Sequence, residues 1–191
     1  MDLPGISRFL KPKSYLRSMN VLEHFKPIRL FAFDMDGVLT DGSLLVMPDG
    51  EWVRKMNIRD GYALQLAIKL GYDVAIITGS ISNPVADRLR KLGITHVFQN
   101  VVDKSASLRG LMAAKGLIPE QVLFMGDDMP DVPALAVVGL PVCPSDAAED
   151  VQAVCRYISP LRGGEGCVRD VIEKTLRIQG NWGHELGLRS I

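Results

Sequence analysis

Two aspartates separated by one residue, Asp34 and Asp36, end the apolar run in "FAFDMDGVLTDG" and precede Gly37. Carboxylates this close repel each other unless a cation, a proton or solvent offsets their charge. A carboxylate can attack phosphorus to give an aspartyl-phosphate. A second carboxylate two residues later could protonate the leaving oxygen and then activate water. The spacing is therefore suited to phosphoryl transfer.

Further polar groups follow in an order that suits the same chemistry: Thr78, Gly79, Ser80, Lys104, Asp127, Asp128 and Asp131. Clustered carboxylates attract a hard cation, and Mg²⁺ is typically held by one or two of them while it keeps several waters. Such a cation would offset the repulsion between Asp34 and Asp127. Together with the Lys104 ammonium, the Thr78 hydroxyl and backbone N–H groups near Ser82, it would bind a dianion such as phosphate.

These groups must be positioned by the strands and helices that alternate along the chain. Apolar runs predict buried strands at 28–34, 73–79, 96–99, 121–127, 140–143 and 156–159. Helical spacing predicts helices at 59–71, 83–93 (N-cap Asn83), 103–116 (N-cap Asp103), 132–138 and 166–178. The alternation predicts an α/β fold with a doubly wound, mainly parallel, Rossmann-like sheet. Because ligands bind beyond the carboxyl ends of such strands, we expect the polar groups to share one rim.

Residues 43–55 interrupt this alternation with two short strand-like runs around the turn Pro48-Asp49-Gly50. We interpret the segment as a small β-hairpin inserted after the first strand. A two-stranded hairpin is marginal in water by itself, so it must pack on its own domain or on another subunit. An oligomer interface is favoured by its apolar side chains, Leu44, Val46, Trp52 and Val53.

Length and composition predict one domain without a nucleic-acid or membrane partner. We divide the 191 residues into an N-terminal extension (1–27), a core domain (28–180) and a C-terminal tail (181–191). Lys plus Arg and Asp plus Glu both number 22, so the net charge gives no reason to expect an anionic partner. The three cysteines match neither a metal knuckle nor a disulfide framework. Free thiols and the lack of a secretory signal pattern predict a cytoplasmic protein.

The motifs "DMDGVLT", "IITG", Lys104 and "GDDMPD" together resemble the four ordered motifs of the haloacid dehalogenase superfamily in its phosphatase form. The resemblance covers residues 28–180, which would form a phosphatase domain. It implies that Asp34 is the nucleophile and Asp36 the general acid and base. It also implies that Thr78 and Lys104 hold the phosphoryl group.

The same resemblance implies a Mg²⁺ site at the carboxylates. Asp34, the backbone carbonyl of Asp36 and Asp127 would bind the ion, and Asp131 completes the predicted set of metal-site residues. Either Asp131 or Asp128 would lie just outside the ligands or orient the lysine.

A narrower likeness covers "DGVLTDG", the hairpin in place of a large cap domain, "RDGYAL" and "GGEGCVRDVIE". These features resemble the 3-deoxy-D-manno-octulosonate 8-phosphate phosphatase family of lipopolysaccharide biosynthesis. The resemblance implies a cytoplasmic homotetramer with its hairpins around the centre. It also implies that the tail with Gly163 and Gly164 completes a neighbouring subunit's active site. The implied substrate is a sugar acid phosphate with eight carbons.

One position departs from that family, whose octulosonate enzymes usually carry arginine directly after the Thr-Gly pair, where this chain has Ser80. Gly79 and Ser80 are candidate substrate contacts, as is Asp60 of "RDGYAL". A compensating positive charge could come from Arg59, Arg88 or Arg162. The substrate could therefore also be a nine-carbon ulosonate 9-phosphate or another sugar phosphate.

Two hypotheses of other classes stay open at the level of sequence. A phospho-acceptor signalling domain is also an α/β fold with an acidic pocket, a threonine and a lysine, but Asp36 would hasten the loss of its aspartyl-phosphate. A non-catalytic scaffold would not need the complete chemical set. Phosphate release from an aryl phosphate, measured with Mg²⁺ and with EDTA, separates both from a phosphatase.

Overall fold

The computed structural model describes residues 20–183, so residues 1–19 of the predicted extension and 184–191 of the predicted tail lie outside the described part. The strands are β1 (Leu30–Phe33), β2 (Leu45–Val46), β3 (Trp52–Val53), β4 (Asp73–Ile77), β5 (His96–Phe98), β6 (Val122–Met125), β7 (Leu140–Cys143) and β8 (Tyr157–Ile158). The α-helices are α1 (Ile58–Lys69), α2 (Asn83–Lys91), α3 (Lys104–Lys115), α4 (Val132–Leu135), α5 (Glu149–Val154) and α6 (Cys167–Ile178). Short 3₁₀ helices cover Val21–Phe25, Pro119–Gln121 and Met129–Asp131.

Six strands form one parallel sheet in the order β5-β4-β1-β6-β7-β8. The chain moves outward from β1 through β4 to β5 and then returns to β6 on the other side of β1. The direction of winding therefore reverses between β1 and β6, which is where ligands bind in folds of this kind. The predicted doubly wound, mainly parallel sheet is confirmed.

Both faces of this sheet are buried, because side chains alternate between two apolar layers along each strand. Phe31 and Phe33 of β1 pack in the layer that contains α1, α2 and α6. Leu30 and Ala32 pack in the other layer, with α3, α4 and α5. All of β1 is buried, so the backbone of Asp34, the residue that follows this strand, is held in a fixed position.

The predicted elements are present with shifted ends, and two details differ from the sequence-based expectation. Asn83 is the first residue of α2 and not its N-cap, because the backbone of Ser82 is still extended. The sequence pattern does not predict α5, which has six residues and no side-chain cap, so it carries few helix signals. The N-cap at Asp103 is confirmed, since its carboxylate accepts from the Ala106 N–H.

The inserted segment forms the predicted hairpin, with β2 and β3 antiparallel. Gly50 has φ +86° in the turn, and its N–H donates to the Met47 carbonyl at 2.9 Å. Thr40 and Met56 form an antiparallel bridge at the base of the hairpin. The apolar side chains of both strands are exposed in the single chain; Trp52, for example, is 56% exposed.

Candidate active site

The first two carboxylates of the site follow β1 and β6, the neighbouring strands between which the direction of winding reverses. Asp34 directly follows β1, and Asp127 follows β6 after one glycine. Phe33 and Met125 are in register, so both strands end at the same level. The Asp34 N–H donates to the Met125 carbonyl at 2.9 Å, which extends the pairing by one residue. The sheet thereby brings together two acidic groups that are distant in sequence.

Asp34, Asp127 and Asp131 form a compact acidic cluster, in which one carboxylate oxygen from each lies within 4.8 Å of the others. The ammonium of Lys104, at the start of α3, donates to Asp131 Oδ1 at 2.6 Å and lies 2.8 Å from Asp34 Oδ1. Carboxylate oxygens are the ligands that Mg²⁺ prefers. The cluster holds more negative charge than one ammonium can neutralise, so its donor set fits a divalent cation.

Burial and mutual repulsion make these carboxyls hold their protons more tightly than usual. Burial, reinforced by the Asp131 charge, raises the pKa of Asp34 to about 6 despite the nearby Lys104. Burial and the Asp34 charge raise the pKa of Asp127 to about 7. Burial would lower the pKa of Lys104, but the charges of Asp34 and Asp131 outweigh it and the pKa is raised. A divalent cation in the cluster would favour the ionised carboxylates.

Asp131 and Asp128 make different contacts although both belong to "GDDMPD". Asp131 Oδ2 accepts from the N–H groups of Asp127 at 3.0 Å and Asp128 at 3.4 Å, while its Oδ1 binds Lys104. Asp128 is exposed, and its carboxylate accepts from the Met129 N–H at 2.8 Å. Asp131 is therefore the residue that orients the lysine and fixes the loop after β6.

The carboxylate of Asp36 is held by the hairpin. Its Oδ1 accepts from Arg54 Nε at 2.7 Å, and its Oδ2 accepts from Arg54 Nη2 at 3.1 Å and from Ser80 Oγ at 2.7 Å. Burial would raise the pKa of Asp36, but the hydrogen bonds from Arg54 and Ser80 outweigh it and the pKa is lowered. No sequence motif marks Arg54, because this contact depends on how the hairpin folds back over the loop after β1.

The loop after β4 contributes Thr78, Gly79 and Ser80 to the same rim. Thr78 is buried, and its Oγ1 accepts from the Ser80 N–H at 3.0 Å, whereas Gly79 is exposed. Near the start of α2, where the sequence predicts N–H groups that bind an anion, the Ser82 N–H donates to Gln99 Oε1 at 2.7 Å. The loop therefore offers the Thr78 hydroxyl to a ligand and the Ser80 hydroxyl to Asp36.

Gly37 is required by the close approach of the two strand ends. Its φ is +85°, in the left-handed region that favours glycine. A β-carbon at this position would lie 2.0 Å from Asp127 Oδ2. A side chain at position 37 would therefore displace the Asp127 carboxylate from the acidic cluster.

Gly163 and Gly164, which the resemblance places at a neighbouring subunit's active site, also lie against the active-site loop of their own chain. The Gly164 N–H donates to the Val38 carbonyl at 2.9 Å, and the Gly164 carbonyl accepts from Asn57 Nδ2 at 3.2 Å. A β-carbon on Gly163 would lie 1.9 Å from the Gly37 carbonyl oxygen. Glycine is needed here because two backbone segments touch, so the pair supports the loop after β1.

Asp60 is not at the rim, although the sequence predicts it as a substrate contact. It is 1% exposed and accepts from the Arg169 N–H, in the first turn of α6, at 2.7 Å. Burial raises its pKa to about 6. A carboxylate is favoured at a helix N-terminus. Asp60 therefore links α1 to α6 and stabilises the packing of these two helices.

The candidate arginines lie on different surfaces. Arg162 is exposed and lies 3.4 Å from Asp146. Arg59 lines a groove of about 680 Å³ beside α6. Arg88 lines a groove of about 370 Å³ between the hairpin and α2, together with Arg54. Arg88 is thus the candidate that borders the Asp36 side of the site.

Comparison with known proteins identifies the family. A profile of haloacid dehalogenase-like hydrolases matches residues 90–169. The 3-deoxy-D-manno-octulosonate 8-phosphate phosphatase of Yersinia pestis is 39% identical over 160 residues, which cover 84% of this chain and 86% of the relative. The enzyme of that name from Escherichia coli K12 is 37% identical over 163 residues, covering 85% and 87%. The chain belongs to the 3-deoxy-D-manno-octulosonate 8-phosphate phosphatase family.

A solved structure of the family has the same fold. The phosphatase from Moraxella catarrhalis, in complex with magnesium ion, phosphate ion and KDO molecule, is 36% identical with a TM-score of 0.81, covering 84% of this chain and 92% of its own. The family resemblance drawn from the motifs and the hairpin is therefore confirmed. Within residues 20–183, no helix is both long and apolar enough to cross a membrane.

Proposed function

We propose that the protein is a Mg²⁺-dependent phosphatase that hydrolyses 3-deoxy-D-manno-octulosonate 8-phosphate to the free sugar acid and phosphate. The observation that carries this proposal is the Lys104 ammonium held between Asp34 and Asp131, beside Asp127, at the switch point of the sheet. Relatives named for this activity and the Moraxella catarrhalis complex with magnesium and phosphate ions support it. Membership of a hydrolase family disfavours a phospho-acceptor domain or a scaffold.

In the first step, the Asp34 carboxylate attacks phosphorus while the bond between phosphorus and the sugar oxygen breaks. Arg54 and Ser80 keep Asp36 ionised in the free enzyme, so Asp36 takes up a proton when the phosphate dianion binds beside it. It then donates this proton to the sugar oxygen, and the sugar departs with a free hydroxyl. Lys104 and the Thr78 hydroxyl bind the phosphoryl oxygens on which charge develops.

In the second step, the aspartyl-phosphate on Asp34 is hydrolysed. Asp36, now a carboxylate, takes a proton from a water whose oxygen attacks phosphorus as the bond to Asp34 breaks. Phosphate leaves, Asp34 is again a carboxylate, and Asp36 releases its proton as the free enzyme is restored. When bound, Mg²⁺ would be held by Asp34, Asp127 and the Asp36 backbone carbonyl and would offset the negative charge. Asp131 would complete this acidic set, and it orients Lys104.

The eight-carbon sugar acid is the substrate that family membership favours, and a nine-carbon ulosonate 9-phosphate is its main competitor. Ser80 is the reason to test both, because a neutral hydroxyl cannot clamp a carboxylate or phosphate in the bidentate way of arginine. Positive charge near this edge of the site comes instead from Arg88, which lines the groove between the hairpin and α2.

We also propose that the protein is a cytoplasmic homotetramer assembled through the hairpin. Leu45, Val46 and Trp52 are 62%, 64% and 56% exposed in the single chain. Apolar side chains clustered on two short strands are typical of an interface, and a hairpin needs such packing to be stable.

Phosphate release from a panel of esters, with Mg²⁺ and with EDTA, tests the proposed activity. We expect the highest kcat/KM for the eight-carbon substrate, a lower value for the nine-carbon analogue and for hexose phosphates, and no turnover in EDTA. A higher kcat/KM for the nine-carbon analogue would reassign the substrate, and turnover in EDTA would contradict the role of the metal. If no phosphate were released from any ester, the proposed phosphatase activity would be refuted.

A further inference from the structure

Asp36 is bound on both of its oxygens by groups that come from other parts of the chain. Arg54 Nε lies 2.7 Å from Oδ1 and Arg54 Nη2 lies 3.1 Å from Oδ2, so the guanidinium contacts the carboxylate with two parallel hydrogen bonds. Ser80 Oγ donates to Oδ2 at 2.7 Å. Bidentate pairs of this kind fix the direction of a carboxylate as well as its charge.

Arg54 is itself fixed by the hairpin that carries it. It directly follows β3, its side chain is 1% exposed, and its Nη1 donates to the Trp52 carbonyl at 3.3 Å. A long arginine side chain is costly to immobilise unless several contacts define its position. The position of the hairpin therefore determines where the guanidinium holds the Asp36 carboxylate.

We propose that Arg54 is a positioning residue for the general acid and base, so that the hairpin sets the direction of the Asp36 carboxylate. This inference rests on the proposed function, in which Asp36 transfers the protons. The resemblance to the family does not point to Arg54, and none of the sequence motifs includes it. A catalytic group works only when it is held within about 0.5 Å of its productive place by surrounding contacts. The strand end alone does not provide this, because Asp36 lies three residues beyond Phe33, the last residue of β1, in the loop.

The contacts favour positioning over direct substrate binding by Arg54. Each of its three side-chain nitrogens already donates to a protein oxygen, two to Asp36 and one to the Trp52 carbonyl. With 1% of its side chain exposed, it has almost no surface left for a ligand. Ser80, in the loop after the neighbouring parallel strand β4, donates to the same carboxylate, so Asp36 is held by groups from two loops.

The test compares Arg54→Met, Arg54→Lys and the control Arg177→Met with wild type, all saturated with Mg²⁺. Arg177 is a matched control because two of its nitrogens also donate to a carboxylate, that of Glu173, on the exposed face of α6. The two substrates are 3-deoxy-D-manno-octulosonate 8-phosphate, whose leaving alkoxide needs a proton, and p-nitrophenyl phosphate, whose leaving group does not. Rapid mixing separates phosphoryl transfer from hydrolysis of the aspartyl-phosphate.

For Arg54→Met, we expect kcat for the sugar phosphate to fall about 10- to 100-fold, with KM changed less than about threefold. With p-nitrophenyl phosphate, we expect a transfer step slowed less than about fivefold and a burst of nitrophenolate, because water activation is slowed more. Arg54→Lys should restore part of the loss, and Arg177→Met should match wild type. An equal fall of the transfer step for both substrates, a change confined to KM, or wild-type rates in Arg54→Met would overturn the inference.

A crystal structure of Arg54→Met gives a readout that does not depend on activity. We expect the Asp36 carboxylate to turn from its present direction while Asp34 and Lys104 stay in place. An unmoved Asp36 would overturn the inference even if the rates fell. Failure of the wild-type enzyme to release phosphate from either ester would refute the proposed function instead, and the crystal structure would still decide whether Arg54 positions Asp36.

Discussion

The ammonium of Lys104 donates to Asp131 Oδ1 at 2.6 Å, and the two side chains are 7% and 1% exposed. A charge pair this deeply buried is costly to form unless its remaining polar atoms are also satisfied. Asp131 meets this condition, since its Oδ2 accepts from the N–H groups of Asp127 and Asp128. The pair therefore fixes both the Lys104 ammonium, beside Asp34, and the loop that carries Asp127.

Asp131→Asn removes the charge that orients Lys104 while keeping the shape of the side chain. We expect kcat to fall at least about tenfold and the free energy of unfolding to drop by about 1–3 kcal/mol, because a buried charged partner is lost. Steady-state kinetics and denaturant unfolding measure the two effects. The matched control is Asp128→Asn, whose carboxylate is exposed and contacts Met129 N–H. Equal losses in both variants would contradict the distinct role given to Asp131.

Asp34→Asn should abolish turnover and leave the fold intact. An amide is a poor nucleophile and a weaker metal ligand, and the uncatalysed hydrolysis of phosphate monoesters has one of the highest barriers known. Activity is measured as phosphate release, and folding by thermal unfolding in parallel. Residual activity above about one hundredth of wild type would rule out Asp34 as the nucleophile.

Mg²⁺ binding should release protons and strengthen as the pH rises through the pKa values of Asp34, about 6, and Asp127, about 7. Both pKa values are raised, so below this range the carboxyls are protonated and the ion must displace protons; above it they are already ionised. Calorimetric titration in buffers of different ionisation enthalpy counts the released protons. We expect about one proton or more near pH 6 and close to none near pH 9. Affinity independent of pH would contradict the assignment, and Asp127→Asn should weaken both binding and proton release.

The sequence is sufficient to predict the part of the site that strand ends dictate. Asp34, Asp127 and Lys104 follow from apolar runs that end in polar residues, because a parallel sheet must bring such ends to one edge. Arg54 could not be predicted in this way, since its contact with Asp36 spans two loops whose relative placement depends on tertiary packing. Asp60 was misassigned for the same reason: its position in a motif does not reveal that α6 covers it.

The hairpin should hold the assembly together, and the double variant Val46→Glu/Trp52→Glu should yield smaller species. The two positions face each other across β2 and β3, so the variant puts two like charges on one apolar face. Light scattering after size-exclusion chromatography gives the mass. Val102→Glu is the control, because Val102 is fully exposed outside the hairpin. A monomeric, fully active wild type would refute the proposed interface, and so would a tetramer that persists in the double variant.

Position 80 should influence catalysis through Asp36 and selectivity through charge. Ser80 Oγ donates to Asp36 Oδ2 at 2.7 Å, so Ser80→Ala removes one neutral donor from a carboxylate that Arg54 still holds. A hydrogen bond to a charged group contributes about 1.5–3 kcal/mol at most, and with Arg54 in place we expect kcat to fall only about two- to tenfold.

Ser80→Arg should act differently, because a second guanidinium beside Arg54 would bind anionic substrate groups in the ground state as well as in the transition state. We therefore expect it to change the ranking of eight-carbon and nine-carbon sugar acid phosphates mainly through KM. Both variants are compared on the same panel of esters, with kcat and KM determined separately. If neither variant changed kcat or the ranking, position 80 would have no part in catalysis or selectivity, and the departure from arginine at this position would carry no information about the substrate.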